Sequence, residues 1–280
     1  MIVSEALEQA TAALPTRRGL PNPHHEALFL LAAAWKVDEI RLRMRPEKAI
    51  PAEVERLFFQ WVDRRSSGEP AEHIVGRCAF WGRSFRVTPS VLIPRPETEL
   101  MVQAVIEMAL PSGARVADVG TGSGCLAITL AAERPDWRVV GIDRSFGALN
   151  IARQNASDLG ADVAWLWSDL MSCCGPGFDL VVANLPYIPS GWMPTLGEEI
   201  SREPVLALDG GRDGLDLVRR LIGDLGRILA PGGLCLLELA EDQAAAVEEM
   251  AVKHGLHPAG RRRDIGGCDR IVMLAAKSGP

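Results

Sequence analysis

The chain has 280 residues, of which 48% are hydrophobic and 24% charged, and its formal net charge is −6. This length provides for one large domain or two ordinary ones, and the composition argues against a disordered, collagen-like or disulfide-dense protein. The negative charge disfavours a broad surface for nucleic acid or another polyanion. No apolar run approaches the roughly 18 residues that a membrane span needs. A start that contains Glu5 and Glu8 is unlike a signal peptide.

The six cysteines are not spaced as a metal or redox motif. None belongs to a C-x-x-C pair and no histidine pair lies nearby in sequence, so a zinc site and thioredoxin-like chemistry are both disfavoured. Cys125 and Cys235 lie in apolar or glycine-rich runs, which predicts small buried side chains. We therefore expect no metal and a reduced, cytoplasmic setting.

Residues 1–75 show the apolar spacing of helices in three segments, which are residues 5–14, 24–36 and 51–65. Proline and glycine cluster between them, for example at residues 19–23. This pattern predicts a small helical-bundle domain. Such a domain either adds stability or recognises a partner, and the sequence favours neither role.

Residues 76–95 are predicted to form a hairpin linker, because polar and apolar side chains alternate weakly from Cys78 to Ile93. Residues 96–280 alternate apolar strands with helices. The predicted strands are residues 114–119, 138–143, 162–167, 179–184 and 233–239, and the predicted helices are residues 125–135, 146–160 and 214–229. Strand–helix alternation predicts an α/β domain with a parallel, doubly wound sheet and helices on both faces.

A glycine-rich loop, D-V-G-T-G-S-G, follows the first strand of this domain. Glycine lets the backbone turn sharply and lets a ligand approach without a Cβ in the way. The dinucleotide fingerprint has its third glycine five positions after the first, but here that position is Cys125 and the glycine comes early. This variant, preceded by an acid, favours S-adenosylmethionine, whose amino-acid end carries an ammonium and a carboxylate. A merely tight strand–helix turn is the alternative. The candidate cofactor-binding residues are Asp118, Gly120, Thr121, Gly122, Ser123 and Gly124.

Three residues at or just beyond the ends of the next two strands are further candidates for binding an adenosine ligand. Asp143 ends one strand, where a carboxylate accepts hydrogen bonds from both ribose hydroxyls. NAD enzymes place an acid in the same way, so Asp143 does not distinguish NAD from S-adenosylmethionine. The alternative role of Asp143 is to cap the following helix. Asp169 is expected to meet the adenine amino group and Leu170 to cover the ring, although Asp169 would also cap a helix.

The tetrapeptide Asn184-Leu185-Pro186-Tyr187 follows another strand, at the carboxyl edge where open α/β sheets bind ligands. An amide or aromatic amine is a poor nucleophile because its nitrogen lone pair is conjugated. We expect the Asn184 side-chain oxygen and the Leu185 carbonyl each to accept one N–H of such an NH2 group and to stabilise the positive charge that develops on nitrogen. Tyr187, the one tyrosine of the chain, would stack on the flat group, and Pro186 would fix the backbone. The alternative is an ordinary proline-containing turn.

Taken together, these motifs resemble the HemK/PrmC family of protein-(glutamine-N5) methyltransferases. The resemblance covers roughly residues 60–275 and includes several motifs in order: the run from Gly76 through Leu100 with L-I-P-R-P-E-T at 92–98, the glycine loop, the Asn184–Tyr187 segment, and R-E-P-V-L-A-L-D-G-G-R-D-G at 202–214. It implies a Rossmann-like, seven-stranded S-adenosylmethionine-dependent methyltransferase domain at residues 96–280. It also implies that the helical domain, residues 1–75, recognises the protein substrate.

The same resemblance implies a reaction. The cofactor is S-adenosyl-L-methionine, the product is S-adenosyl-L-homocysteine, and the substrate is the glutamine of the Gly-Gly-Gln loop of peptide chain release factors. Residues Gly120–Gly124, Asp143, Leu170 and Asn184 are implied to meet the cofactor. The segment from Asn184 to Tyr187 is implied to hold the substrate glutamine.

One position departs from the family pattern, because the family usually has proline where this chain has Leu185. The carbonyl survives the change, but some backbone rigidity is lost. The tetrapeptide is also similar to that of adenine-N6 methyltransferases of ribosomal RNA. The alternatives are therefore a methyltransferase for another planar amide or amine, such as a ribosomal-protein glutamine or an RNA adenine, and a non-catalytic nucleoside-binding relative.

The acidic net charge and the lack of a basic arm suit RNA poorly. The expected partners are therefore release factors, without direct nucleic-acid or membrane contact, and the expected protein is a cytoplasmic monomer. Glu203 and Asp213 either brace a loop over the site or are ordinary surface acids. Arg261–Arg263 is more simply explained as a solvated charge run than as a docking site.

Overall fold

The computed structural model describes residues 1–15 and 22–278 of the chain. The chain divides into two compact units. The first comprises residues 1–77 together with residues 197–202, and the second comprises residues 78–196 and the chain from residue 203 onward. The inclusion of residues 197–202 in the first unit was not expected from the sequence. Most of the predicted break at residues 19–23 lies outside the described residues.

The first unit is helical. Its helices are α1 (Val3–Ala13), α2 (Pro23–Trp35), α3 (Glu39–Arg43), α4 (Ala52–Ser66) and α5 (Ala71–Val75). The three longer helices occupy the segments that the apolar spacing predicted, to within two residues. Helix α2 begins with a proline after Asn22, whose side chain accepts a hydrogen bond from the His24 backbone N–H. The two five-residue helices were not predicted because one turn is too short to show a helical period.

Buried charges explain why residues 197–202 belong to the first unit. The Arg65 guanidinium on α4 is fully buried, donates to Glu26 on α2 at 2.8 Å, and also pairs with Glu199. Arg202 donates to the backbone oxygen of Ser67 at 2.7 Å. A buried guanidinium needs carboxylate partners, and Glu199 supplies one from a segment far away in sequence.

A hairpin of β1 (Arg77–Phe80) and β2 (Arg83–Arg86) follows α5, and all of it except Arg77 belongs to the second unit. Trp81 and Gly82 form the two-residue turn, both with positive φ, as short hairpin turns require. The predicted hairpin extended to Ile93, but the strands end at residue 86. The chain then runs through a 3-10 turn at Pro96–Thr98 into α6 (Glu99–Ile106).

The seven-stranded sheet of the second unit has the order β5-β4-β3-β6-β7-β9-β8. Strands β3 to β7 are parallel where they pair, whereas β9 runs antiparallel to both β7 and β8. The strand order reverses between β3 and β6, which is the point where open α/β sheets form a ligand crevice at their carboxyl edge. The strands are β3 (Arg115–Val119), β4 (Arg138–Asp143), β5 (Ala164–Trp167), β6 (Phe178–Ala183), β7 (Leu229–Glu238), β8 (His257–Arg263) and β9 (Asp269–Ala275).

Helices cover both faces of this sheet. One buried cluster joins the sheet to α9 (Asp216–Ile228) and α10 (Ala244–Lys253). The other joins it to α6, α7 (Cys125–Glu133) and the hairpin, and α8 (Phe146–Leu159) packs beside α7. The sequence predicted the parallel part of the sheet but not the antiparallel edge, because β8 is exposed along its length and carries no apolar pattern. Within the described residues, no helix has both the length and the apolar character to span a bilayer.

Candidate active site

A cavity opens at the carboxyl edge of the sheet, where the glycine loop meets the ends of β4 and β6. Most of the residues that the sequence singled out line it: Asp118, Gly120, Thr121, Gly122, Ser123, Asp143, Asp169, Leu170, Asn184, Leu185 and Pro186. Gly124 and Tyr187 are not among the described residues that line this cavity. The structure thus brings together residues that are up to 68 positions apart in sequence.

The glycine loop adopts a backbone that other residues rarely take. Gly120, Gly122 and Gly124 have φ of 76°, 56° and 81°. An added Cβ at Gly120 would lie 3.0 Å from Leu185 Cδ2 and 3.7 Å from the Asn184 backbone oxygen, so it would fill the space between the loop and the end of β6. Gly124 instead begins α7, and its Cβ would meet Ile128 and Trp165 at 3.0 Å, which explains its absence from the cavity wall.

Asp118 braces the loop from within. One of its carboxylate oxygens accepts from the Thr121 hydroxyl at 2.6 Å and from the Ala127 backbone N–H at 3.1 Å. Burial raises the pKa of Asp118 to about 7, although these two hydrogen bonds work in the opposite direction. The loop therefore holds a carboxylate that a nearby positive charge would readily ionise.

Asp143 ends β4 and fastens both the loop and the next helix. Its two oxygens accept from the Gly122 N–H at 3.0 Å and from the Ser145 N–H at 2.8 Å. The cap of α8 is Ser145, whose side chain accepts from the Ala148 N–H at 3.2 Å. Burial raises the pKa of Asp143, and the two backbone N–H groups lower it. A carboxylate has about four lone-pair directions, so further hydrogen bonds remain available.

Asp169 and Leu170 lie after β5. Asp169 is half-exposed and pairs with Arg220 at 2.6 Å. Leu170 is buried with φ of 49°, which is uncommon for a branched side chain and holds it against the cavity.

Asn184 is the first residue after β6. Its side-chain Nδ2 donates to the Thr98 hydroxyl at 3.1 Å, so the amide oxygen is the acceptor that this side chain can present. Leu185 is buried. The next residues are held by two hydrogen bonds: the Ile188 backbone N–H donates to Leu208 O at 3.1 Å, and the Gln243 side-chain Nε2 donates to Tyr187 O at 3.1 Å. Burial raises the pKa of the half-buried Tyr187, and the negative charge of the nearby Glu238 raises it further.

Two groups of residues around the site received no definite role from the sequence. Glu203 is buried, accepts from the Ile93 N–H at 2.9 Å and pairs with Arg95, which lines the cavity. It therefore braces the segment at 93–95. Thr98 bonds to Asn184, and the buried Glu238 is close to both. Thr98 belongs to the motif at 93–98, but no local pattern shows that these three residues meet, because they are far apart in sequence.

The other charged residues that the sequence singled out, Asp213 and the arginines at 261–263, form ion pairs at the surface. Asp213 is exposed and pairs with Arg219 at 2.8 Å. Arg261 and Arg263 both pair with Asp269. These contacts account for the arginine run as part of a surface ion-pair network.

The geometry fits a nucleoside that carries an amino-acid tail. Close backbone approach is possible at Gly120, a carboxylate with spare acceptor capacity stands at the end of β4, and an amide stands at the end of β6. The strand order and the position of this cavity define an S-adenosylmethionine-dependent methyltransferase domain.

Comparison with known proteins identifies the family. Residues 5–76 match the PrmC N-terminal domain, and residues 96–211 match the Methyltransferase small domain. The release factor glutamine methyltransferase of Moorella thermoacetica is 41% identical over 255 residues, which cover 90% of each chain. That of Koribacter versatilis is 41% identical over 235 residues, covering 82% of this chain and 84% of the other. The chain belongs to the release factor glutamine methyltransferase family.

A solved structure supports the fold. The T. thermophilus 16S rRNA N2 G1207 methyltransferase, in complex with AdoMet and guanosine, superposes with a TM-score of 0.52 at 19% identity. The match covers 72% of this chain and 50% of that one.

Proposed function

We propose that this protein transfers a methyl group from S-adenosyl-L-methionine to the side-chain amide nitrogen, N5, of the glutamine in the Gly-Gly-Gln loop of peptide chain release factors. One observation carries the proposal: Asn184 and Leu185 line the same cavity as the glycine loop and Asp143. An acceptor pair for an NH2 group and a nucleoside cradle therefore share one space. Family membership supports the choice of glutamine as the substrate.

The cofactor's adenosine would lie between β4 and β5. Asp143 would accept from the ribose hydroxyls with the lone pairs that Gly122 and Ser145 leave free. Leu170 would cover the adenine ring, and Asp169 would accept from the adenine amino group. The amino-acid end would lie on the glycine loop, where Asp118 faces its ammonium and the backbone of Gly120, Thr121, Gly122 and Ser123 approaches closely. When bound, S-adenosyl-L-methionine supplies an electrophilic methyl on a sulfonium, and S-adenosyl-L-homocysteine is the product.

Asn184–Tyr187 would hold the substrate glutamine. The Asn184 Oδ1 and the Leu185 carbonyl each accept one N–H of the glutamine amide, which turns the nitrogen lone pair away from conjugation and towards the methyl. The same two oxygens stabilise the positive charge that grows on nitrogen as the N–C bond forms and the C–S bond breaks. Pro186 fixes the backbone, and Tyr187 would rotate towards the flat amide. Water takes the proton that the product amide releases.

Most of the rate acceleration would come from alignment. Holding the reacting atoms about 3–3.5 Å apart replaces a bimolecular encounter with an intramolecular one. The helical unit, which matches the PrmC N-terminal domain, would recognise the release factor. We further propose that the enzyme acts as a monomer in the cytoplasm, with no direct contact to nucleic acid or membrane.

The test is methyl transfer to a purified release factor with isotope-labelled cofactor, followed by mass spectrometry of the Gly-Gly-Gln peptide. Label on that glutamine is the expected result, and a release factor with Asn in place of the glutamine is the matched control. Label only on ribosomal RNA or on another protein would contradict the substrate assignment. Tight cofactor binding without transfer to any of these would contradict the enzymatic one.

A further inference from the structure

Glu238 occupies a position that mirrors that of Asn184 on the neighbouring strand. Strands β6 and β7 are parallel, and Ala183 pairs with Leu237. Asn184 and Glu238 are each one residue beyond that pair, so both stand at the carboxyl edge of the sheet. Glu238 is only 3% exposed and does not line the cavity. It lies behind the residues that would touch a substrate.

A short hydrogen-bond network joins this carboxylate to the site. Asn184 Nδ2 donates to the Thr98 hydroxyl at 3.1 Å. The Thr98 hydroxyl and the Asn184 amide also act on the buried Glu238 carboxylate as hydrogen-bonding groups that lower its pKa. Because the Thr98 oxygen accepts from Asn184, the Thr98 hydroxyl hydrogen is left to donate to Glu238. Thr98 itself lines the cavity, so the network reaches from the interior of the unit to its wall.

The network determines which end of the Asn184 amide faces the cavity. The two ends of an asparagine side chain have the same shape, and only their hydrogen-bond partners distinguish them. An ionised carboxylate accepts and never donates, so the NH2 end of Asn184 must face Glu238 and Thr98. The Oδ1 end is then directed to the substrate. An amide that donates to an anion also carries more negative charge on its oxygen, which makes that oxygen a better acceptor.

We propose that Glu238 is a positioning residue that, as a carboxylate, orients the Asn184 side chain through direct contact and through Thr98, so that its oxygen meets the substrate nitrogen. The proposal rests on the methyl transfer proposed above. A protonated Glu238 would donate to Asn184 and favour the reversed amide. The NH2 group of Asn184 would then meet the NH2 group of the substrate, and two donors do not bind each other.

The energetics of Glu238 support a role beyond structure. The Glu238 Oε2 atom is buried, and no residue among 1–15 and 22–278 forms a hydrogen bond with it. The guanidinium of Arg270 on β9 is engaged at 2.7 Å by Asp264 instead. Such an incompletely satisfied buried carboxylate costs folding free energy, and an apolar residue would avoid that cost.

The charge state of Glu238 changes near neutral pH. Burial raises its pKa to about 7 and Glu97, on the 3-10 turn before α6, adds to the rise, whereas Thr98, Asn184 and Arg270 oppose it. Tyr187, from the loop after β6, also faces it and stays neutral over this range because its own pKa is raised. Because the carboxylate form is the active one, turnover at saturating cofactor should fall as pH drops through about 7.

The first test reads Asn184 directly and needs no activity. The chain has four asparagines, Asn22, Asn150, Asn155 and Asn184, so selective 15N-asparagine labelling gives a simple spectrum, and Asn184→Ala assigns the signal. In the unmodified protein the Asn184 NH2 signal should shift with a midpoint at about pH 7. That titration should vanish in Glu238→Gln and persist in Glu249→Gln, an exposed control on α10. A signal that titrates identically in Glu238→Gln overturns the proposal.

The second test uses kinetics with a release-factor substrate. Glu238→Gln should lower kcat about 10- to 150-fold, the range for losing a hydrogen bond to a charged group, with the cofactor KM unchanged within about twofold. The acid limb of the kcat profile should disappear. Thr98→Val should behave similarly, whereas Thr98→Ser, which keeps the hydroxyl, should retain most of the activity, so the proposal stays testable if Glu238→Gln folds poorly.

Failure of the proposed function and failure of the proposed role of Glu238 would give different results. No glutamine methylation by the unmodified protein would refute the proposed function, while the NMR titration would still judge the role of Glu238. Normal kcat and an intact acid limb in Glu238→Gln would refute the role of Glu238 while leaving the methyltransferase activity in place.

Discussion

Replacing Asn184 with alanine removes the side-chain oxygen that we expect to accept one N–H of the substrate amide. The Leu185 carbonyl remains, because it belongs to the backbone, and the glycine loop and Asp143 are untouched. The change therefore isolates one of two acceptors at the reacting nitrogen. Thr98 loses the donor that lies 3.1 Å away, but its hydroxyl can still donate to Glu238.

The expected loss follows from when the acceptor acts. An oxygen aimed at charge that develops only in the transition state lowers the barrier for transfer more than it strengthens binding of the ground state. Removing one comparable oxyanion-hole donor costs about 2.7–4 kcal/mol, or about 10²–10³ in kcat. The folding penalty is smaller, about 0.5–1.5 kcal/mol for the lost Asn184–Thr98 hydrogen bond. Turnover should thus collapse while the fold and the cofactor affinity remain.

Single-turnover methyl transfer to a release factor, with cofactor affinity measured separately by calorimetry, distinguishes these effects. Asn150→Ala is the matched control, because Asn150 is exposed on α8. We expect the Asn184→Ala enzyme to be slow with near-normal cofactor affinity, and the Asn150→Ala enzyme to be normal. Full activity in Asn184→Ala would remove this side chain from the mechanism.

The other predictions concern cofactor binding. Asp143→Ala should weaken cofactor binding by about 1.5–3 kcal/mol, the loss expected for one charge-assisted hydrogen bond. Calorimetry should show this as an affinity about 10- to 150-fold lower. Equal affinity in Asp143→Ala and in the exposed control Asp136→Ala would refute the ribose assignment. Gly120→Ala should lower Tm and cofactor affinity together. A left-handed backbone costs a non-glycine residue about 1–2 kcal/mol, and the new Cβ would lie 3.0 Å from Leu185 Cδ2. A variant with unchanged affinity would show that the cofactor does not approach this backbone. Since the pKa of Asp118 is raised to about 7 and an ammonium favours its ionised form, cofactor affinity should fall below about pH 7 and binding at pH 7 should release protons. Calorimetry in buffers of different ionisation enthalpy measures that release, and affinity that is flat from about pH 6 to about pH 8 would contradict it.

The parts of the fold that the sequence predicted are those with local signals. The strand Leu180–Ala183 is a continuous apolar run, and Val116–Val119 is interrupted only by Asp118, because helices cover both faces of the sheet. The glycine loop is recognisable in the sequence because three of its five successive positions have positive φ, which favours glycine. The cavity followed from one topological rule, that the carboxyl ends of parallel strands meet at one edge.

The parts that escaped prediction depend on contacts between distant residues. Arg65 and Glu199 are 134 positions apart, so nothing near either residue indicates that residues 197–202 join the helical unit. Asn184 and Thr98 are separated by 86 positions, and Glu238 joins them only because β7 lies beside β6 in the sheet. Local pattern also cannot distinguish a glycine that faces a ligand from one that packs a helix, as Gly124 does against Trp165.

The central claim is that oxygen atoms at the end of β6 hold the glutamine nitrogen beside the methyl donor. A crystal structure of the protein with S-adenosyl-L-homocysteine and a peptide containing Gly-Gly-Gln examines it most directly. We expect the glutamine nitrogen to lie about 3 Å, the ordinary hydrogen-bond distance, from both Asn184 Oδ1 and the Leu185 carbonyl oxygen. A complex in which the peptide binds with its glutamine away from both oxygens would contradict the account.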